Sequence, residues 1–361
     1  MISISLCMIV KNEEEMLPNC LDSVLDAVDE IILVDTGSTD KTKNIARNYT
    51  EKVFDFEWID DFAAARNFSF SHASMDYILW LDADDVFLEE DKRKLLELKS
   101  SLDPSIDSVA MVYNYEFDEY GNPILRLHRN RLIKRSRNFR WFGAVHEFLA
   151  VGGNTLTSDI AVTHKRVHHH SGRNLAIFEN RLERGEKFSS RDMYYYANEL
   201  YDNEKNNKAI EYYLKFLESK DGWVEDKIRT CDKLADIHYR LGDTEKEREF
   251  IFKSFEYDIP RAEFCCRLGF QCLAKNEIKQ AIFWYTLAAN LEMPKESWGF
   301  FQEACWTWLP HVQLCICYYG VGDYLLSYQH NETALRFRPN DEQLLGNKRL
   351  LEERLKELGE L

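Results

Sequence analysis

Over the first hundred residues, short apolar runs alternate with stretches whose apolar positions recur at helical spacing, which predicts βαβ units and a mostly parallel sheet. Ile2 to Val10 reads as the first strand. Leu17, Leu21, Val24, Leu25 and Val28 then recur as one helix face, with Glu13, Glu14 and Glu15 expected in its first turn, where the dipole favours acids. Ile31 to Val34 is a second buried strand. It runs into Asp35-Thr36-Gly37-Ser38-Thr39-Asp40, turn formers and N-cap residues from which another helix should start. Val53 to Phe56 reads as a third strand, Asp61 to Ala73 as a helix, and Tyr77 to Leu81 as a fourth strand ending at Asp82-Ala83-Asp84-Asp85. Val109 to Phe117 and Ile124 to Ile133 form an expected hairpin. Strand signals cease by His168-His169-His170-Ser171-Gly172, so the domain boundary is expected near 172 to 178, dividing the chain into 1–175 and 176–361.

The remainder is helical and weakly repetitive. The blocks beginning at Ala197, Ala235, Gly269 and Cys315 follow one another at steps of 38, 34 and 46 residues, each followed by a polar turn and a second apolar helix. That spacing, with small residues at the tight contact of each hairpin, resembles tetratricopeptide repeats, and the last step implies an insertion. Tyr194, Tyr195, Tyr196, Trp284 and Tyr285 are read as helix core.

Composition narrows the partners. At 361 residues the chain exceeds the usual span of a single core, and 45% hydrophobic against 30% charged residues places it among globular proteins. A net charge of −16 argues against nucleic acid. Nowhere do 18 consecutive apolar residues occur, and the start has no basic leader region, so neither a transmembrane helix nor a secretory signal is expected. The nine cysteines lack zinc-ligand spacing and are read as core residues of a cytoplasmic protein.

In open α/β sheets, ligands bind outside the carboxyl ends of the strands, where Asp35 and the acidic cluster both fall. Asp82 and Asp84, one residue apart at a strand end, can direct two carboxylates to one side, and Mg²⁺ and Mn²⁺ commonly use one or two carboxylates plus phosphate oxygens.

Four segments in order carry a more specific signal: Ile4-Ser5-Leu6-Cys7-Met8-Ile9-Val10-Lys11-Asn12-Glu13, Ile31 to Thr42, Asp61-Phe62-Ala63-Ala64-Ala65-Arg66-Asn67 and Leu81 to Asp85. Together they resemble family-2 glycosyltransferases of the GT-A fold, a Rossmann-like nucleotide-diphospho-sugar transferase domain. The likeness spans about residues 2 to 175 and looks closest to the bacterial branch with C-terminal helical repeats that includes bacteriocin peptide S-glycosyltransferases of the sublancin type. The resemblance implies inverting transfer from a UDP-sugar, with Val10, Asn12, Glu13, Asp35, Gly37, Arg66, Asp82, Ala83 and Asp84 holding the donor. Carried over by position, Asp35 would bond the uracil, Asp82 the ribose or the metal's water shell, and Asp84 the metal directly. Arg66 would pair with the diphosphate or brace the acids. Asp85 is open between a supporting group and a helix N-cap. His170 resembles the late histidine that completes the metal site, and His164, His168 and His169 are read as structural.

In Gly143-Ala144-Val145-His146-Glu147, resembling that branch's acceptor-side element, Glu147 is the candidate base and His146 its catalytic neighbour; the alternative is that both only fix a loop. Seven Lys or Arg residues from Arg126 to Arg140 either form a solvated strand face or attract a diphosphate or an acidic acceptor. The expected protein is thus a Mn²⁺- or Mg²⁺-dependent transferase of glucose or N-acetylglucosamine. The helical half would position a peptide or protein acceptor, or a second copy in a homodimer. The alternatives are a transferase building a surface polysaccharide or glycolipid, and a non-catalytic scaffold.

Overall fold

Strands buried on both faces are mainly apolar, and the first runs behave so apart from Ser5, Glu30 and Asp35: Ile4–Val10 (β1) and Glu30–Asp35 (β2) pair in parallel, almost wholly buried. Val53–Asp55 (β3) extends β2 on one side, and Tyr77–Trp80 (β4) flanks β1 on the other, both parallel. In this computed structural model residues 1–117, 123–165, 172–293 and 301–360 are described, so the turn of the expected hairpin and His168, His169 and His170 lie outside them. The hairpin strands are Ser108–Phe117 and Pro123–Lys134, which follow the two-residue strand Asp85–Val86 (β5) and are therefore β6 and β7. Past the short pair Arg140–Phe142 (β8) and Phe148–Ala150 (β9), Thr155–His164 (β10) joins the main sheet parallel to β6. The order β3-β2-β1-β4-β7-β6-β10-β5 reverses direction at β1 and β4, which opens a crevice at their carboxyl ends.

Helices cover both faces. Leu17–Val24 (α1) and Glu89–Ser101 (α4) pack with the larger apolar layer, Thr42–Ala46 (α2) lies beside α1, and Phe62–Ser71 (α3) packs on β1, β2 and β8. The acids Glu13 to Glu15 do not fill the first turn of α1 as expected. Pro18 sets the helix start at Leu17, and Glu14 instead accepts from Lys41 N at 2.9 Å while its own N–H reaches Asp40 at 3.2 Å, so this segment ties down the loop after β2. Arg173–Glu183 (α5) and Ser190–Asp202 (α6), the latter opened by a Ser189–Asp192 capping box, belong with the sheet in a first unit, Met1–Glu204. Asn180 and Arg184 reach Asp60 at 3.2 and 3.6 Å, which carries this unit past the boundary read from the strand pattern.

The second unit, Lys205–Leu361, begins with Asn206–Glu218 (α7) and continues as helical hairpins: Val224–Arg240 (α8) with Thr244–Ser254 (α9), and Ala262–Ala274 (α10) with Ile278–Asn290 (α11). After the short Glu303–Trp306 (α12), Trp308–Gly320 (α13) pairs with Tyr324–Phe337 (α14), and Glu342–Leu358 (α15) packs on α14. The long last step of the repeat is α12 with the residues before it. Gly269 marks the tight contact of its hairpin, since a Cβ there would meet the Tyr285 ring at 2.7 Å. All nine cysteines are buried and unpaired.

Glu30 ties four segments of the sheet together, bonding Ser5, Lys52 and, at 2.9 and 2.8 Å, the backbone and hydroxyl of Ser74. Burial alone would raise its carboxyl, but these donors outweigh that and lower it to about 2. A depressed acid stabilises the fold above its ordinary value near 4.5 and loses that contribution as pH falls towards about 2. Wild type should therefore exceed Glu30→Gln in urea stability at pH 6 to 7, with the gap closing on titration towards pH 2.

Candidate active site

The turn after β4 alternates its side chains. Asp82 and Asp84 open into the crevice, while Ala83 and Asp85 are buried. Asp85 is fully buried; its Oδ2 meets Arg131 Nη2 at 2.9 Å and accepts from Asp82 N at 3.0 Å. It caps no helix, since α4 starts after Leu88, and so it is the supporting group behind the turn. Arg131 was expected on a solvated face or drawing in a diphosphate, and the structure does neither with it. On β7, Leu132 opposes Val109 and Asn130 opposes Ala110, which leaves Arg131 as the extra residue of a bulge. It is 1% exposed, stacked against Trp80 at 3.9 Å and Tyr113 at 4.6 Å. Arg129, by contrast, is exposed and lines the cleft.

Arg66, on the buried face of α3, joins the two sides of the crevice. Its Nη2 meets Asp82 Oδ1 at 2.7 Å and its Nε meets Glu147 Oε1 at 2.6 Å. The guanidinium lies 5.1 Å from the Trp80 ring and 4.8 Å from Trp141, and Asn67 pins Trp141 through both backbone groups at 2.9 and 3.0 Å. Burial would raise Asp82, but Arg66, with Arg131 and Arg129 beyond it, outweighs that and holds it at about 2. Of the two roles expected for Arg66, the geometry displays bracing of the acids.

At the carboxyl end of β1, the Val10 carbonyl accepts from Thr36 N at 3.0 Å. Asn12, at φ +56°, accepts from Thr39 N at 2.8 Å, and Gly37, at φ +102°, takes a left-handed turn that brings its N–H to Asp35 Oδ1 at 3.0 Å. Asp35 is 2% exposed and its Oδ2 is buried with no partner among the described residues, an acceptor in want of a donor. Burial, then Asp84 and Asp82, raise Glu13 to about 7, a crowding of acids that a cation would relieve.

His164, at the end of β10, brings Nδ1 to 3.5 Å from Asp84 and 3.6 Å from Asp85. Among the described residues neither His164 Nδ1 nor Asp85 Oδ1, both buried, has a hydrogen-bond partner, and with Asp84 they form a set of donor atoms within 4.8 Å of one another that suits Mn²⁺ or Mg²⁺. Burial would lower His164, but the two carboxylates outweigh it and raise it to about 9. His164, read from sequence as structural, thus stands beside Asp84, while the expected ligand His170 lies outside the described residues.

On the opposite wall, His146 has φ +52°, and its Nε2 lies 2.8 Å from Glu199 Oε1 on α6. Tyr195, expected in the core, instead stacks on His146 at 4.4 Å, whereas Tyr194, Tyr196 and Tyr285 are buried and Trp284 is half-buried. The resulting cleft of about 620 Å³ is lined by Val10, Asn12, Glu13, Arg66, Asp82, Ala83, Asp84, His146 and Glu147; Asp35 and Gly37 sit behind its edge at Thr36. Arg173, Asn174, Arg191 and Tyr195 also line it, and periodicity gave no sign of them because α5 and α6 read only as helix.

Residues 5–158 match the sequence model of glycosyl transferase family 2. The N-terminal part of this chain is a family-2 glycosyltransferase domain. A TPR repeat-containing protein of Synechococcus elongatus is 41% identical over 150 residues, 41% of this chain and 36% of that protein. The SPbeta prophage-derived glycosyltransferase SunS of Bacillus subtilis is 28% identical over 221 residues, 57% of this chain and 51% of that one. The chain thus spans about a third to a half of the length of these relatives. A crystal structure of S. aureus TarS 1-349 in complex with UDP-GlcNAc superposes at a TM-score of 0.36 and 14% identity, over 77% of this chain and 89% of that one, a likeness too loose to argue from. Among the described residues no helix of the glycosyltransferase domain or of the second unit is long and apolar enough to cross a membrane.

Removing Arg66 leaves the Asp82 and Glu147 carboxylates without their shared cation. Arg66→Ala should cost roughly 3 kcal/mol in denaturant unfolding, the lower end for breaking a buried pair, since the Asp82 side chain is 37% exposed. Arg66→Lys should recover little, because an ammonium cannot span both carboxylates.

Proposed function

We propose that this chain is an inverting glycosyltransferase moving a sugar, glucose or N-acetylglucosamine, from a UDP-sugar to a peptide or protein acceptor with Mn²⁺ or Mg²⁺. The observation that carries the reading is the set of unpartnered buried atoms at the crevice: Asp35 Oδ2 at its edge, and Asp85 Oδ1 and His164 Nδ1 beside Asp84. Asp35 suits the imide N–H of uracil, while Val10, Asn12, Glu13, Gly37 and Ala83 shape the nucleotide's seat. Asp82, braced by Arg66, faces the ribose or the metal's water shell. Asp84 holds the cation, with His164 or His170 as its nitrogen ligand. When bound, the cation neutralises the charge that develops on the leaving diphosphate. Arg129 and Arg173, both in the lining, add positive charge there. Catalysis resides in the first unit, which runs past the expected boundary at 175 to Glu204, with proton transfer at His146 or Glu147, and the helices beyond it present the acceptor; the protein works in the cytoplasm. A surface polysaccharide or glycolipid acceptor, a scaffold without turnover, and pairing of two copies through the helical half are the outcomes against which this is tested.

Calorimetric binding and melting curves with UDP-, GDP- and dTDP-sugars, with and without Mn²⁺, decide it. One UDP-sugar should raise the melting temperature only with metal, and Asp84→Ala should abolish that gain. His164→Ala and His170→Ala, run in parallel, assign the nitrogen ligand by which one weakens Mn²⁺ binding. Absence of binding by every nucleotide sugar would end the transferase reading.

A further inference from the structure

His146 is held in a conformation that only a surrounding structure can impose. A left-handed backbone costs a non-glycine residue roughly 1–3 kcal/mol, and His146, at φ +52°, follows Gly143 at φ +95° in the same turn. Three contacts keep it there: Arg191 Nη2 donates to its carbonyl at 3.0 Å, Tyr195 stacks on its ring at 4.4 Å and 17°, and Glu199 Oε1 meets its Nε2 at 2.8 Å. Glu199 is itself fixed by Asn174 Nδ2 at 3.0 Å, and its side chain is only 13% exposed. The imidazole is 36% exposed and forms part of the cleft wall. A residue strained and held from three sides at the wall of a cleft is kept for a use rather than for packing.

We infer that Glu199 is a positioning residue that holds His146 as the group taking the proton from the acceptor. With Nε2–H directed at the carboxylate, the lone pair resides on Nδ1, which has no hydrogen-bond partner among the described residues. The neighbouring Glu147 has its Oε1 taken up by Arg66 Nε, which leaves His146 the better placed of the two. When Nδ1 takes the proton the ring becomes a cation, and Glu199 faces it directly. The other charged groups around it are Glu147 beside it in the chain, Arg191 on α6 and Arg173 on α5. Burial would raise Glu199, but the bonds from His146 and Asn174 outweigh it and lower its carboxyl, so it stands ready as the counter-charge.

The inference rests on the transferase reading. In the step it describes, the acceptor O–H or S–H gives its proton to His146 Nδ1 as the oxygen or sulfur bonds to the anomeric carbon. The bond from that carbon to the diphosphate oxygen breaks, and UDP leaves with the electron pair. The imidazolium then returns its proton to water, so the products are glycosylated acceptor, UDP and H⁺. The pairing of carboxylate and imidazole is the arrangement by which a ring is fixed in one tautomer and stabilised once charged.

The test combines donor binding, turnover and ring tautomer on the full chain. With Mn²⁺ and whichever of UDP-glucose or UDP-N-acetylglucosamine binds, UDP release to water is followed for wild type, His146→Ala, Glu199→Gln and Glu199→Asp. His146→Ala should lower kcat about 100-fold or more and Glu199→Gln at least roughly tenfold, with donor KM within about twofold of wild type and Glu199→Asp recovering part of the loss. In ¹⁵N-histidine spectra at high pH, wild-type His146 should carry its proton on Nε2. A proton on Nδ1, or a Glu199→Gln kcat within twofold of wild type, overturns the inference while leaving the transferase reading standing. Failure of wild type to bind either donor removes both. Should Glu199→Gln not fold, the wild-type tautomer decides.

Discussion

Two carboxylates on opposite walls of a crevice repel, and the candidate site exists because one guanidinium spans them. Arg66 reaches Asp82 on the sheet side and Glu147 on the loop side while packed against Trp80 and Trp141, whose rings meet edge to face. That packing requires the rest: Asn67 to orient Trp141, Asp61 to cap α3 by accepting from Ala64 N, and Ala63 and Ala65 small enough to let the helix sit close on the sheet. A lysine in the same place could satisfy one acid at a time. The crevice is therefore held at a fixed width by a planar, forked cation, and that width is what a donor would meet.

The same logic recurs one layer deeper with a second buried arginine, Arg131. Asp85 is wholly buried, and an unpaired buried carboxylate is costly, so Arg131 is turned inward by a bulge to meet it. Asp85 in turn accepts from the backbone of Asp82, which ties the orientation of the exposed acids to the buried pair behind them.

These details explain what the sequence disclosed. The acids at the end of β4 and the loop after β2 were legible because a buried strand followed by turn formers has one reading, and the strand order then brings their carboxyl ends together. Arg131 was not, since strand parity counts residues and a bulge shifts the count. β10 escaped notice because Thr155 to Asp159 alternate polar residues with a single leucine, and its burial begins only at Ile160. The place of His164 beside Asp84 was hidden with it. Tyr195 and Glu199 were hidden by helical periodicity, which says that a face is apolar but not that one turn of it faces a cleft rather than the core. The Glu13 to Glu15 run obeyed loop chemistry where a dipole argument expected a helix end.

The site does not end where the matched family model does. The matched segment stops at residue 158, inside β10, before His164, and the carboxylate behind His146 comes from α6. For anyone recombining such proteins, the natural seam is therefore near Glu204. A junction at 158 would sever a sheet strand, and one at 175 would strand a contorted histidine without the acid that faces it. Helices that read from sequence as the beginning of the helical array would therefore have to travel with the sheet in any such graft.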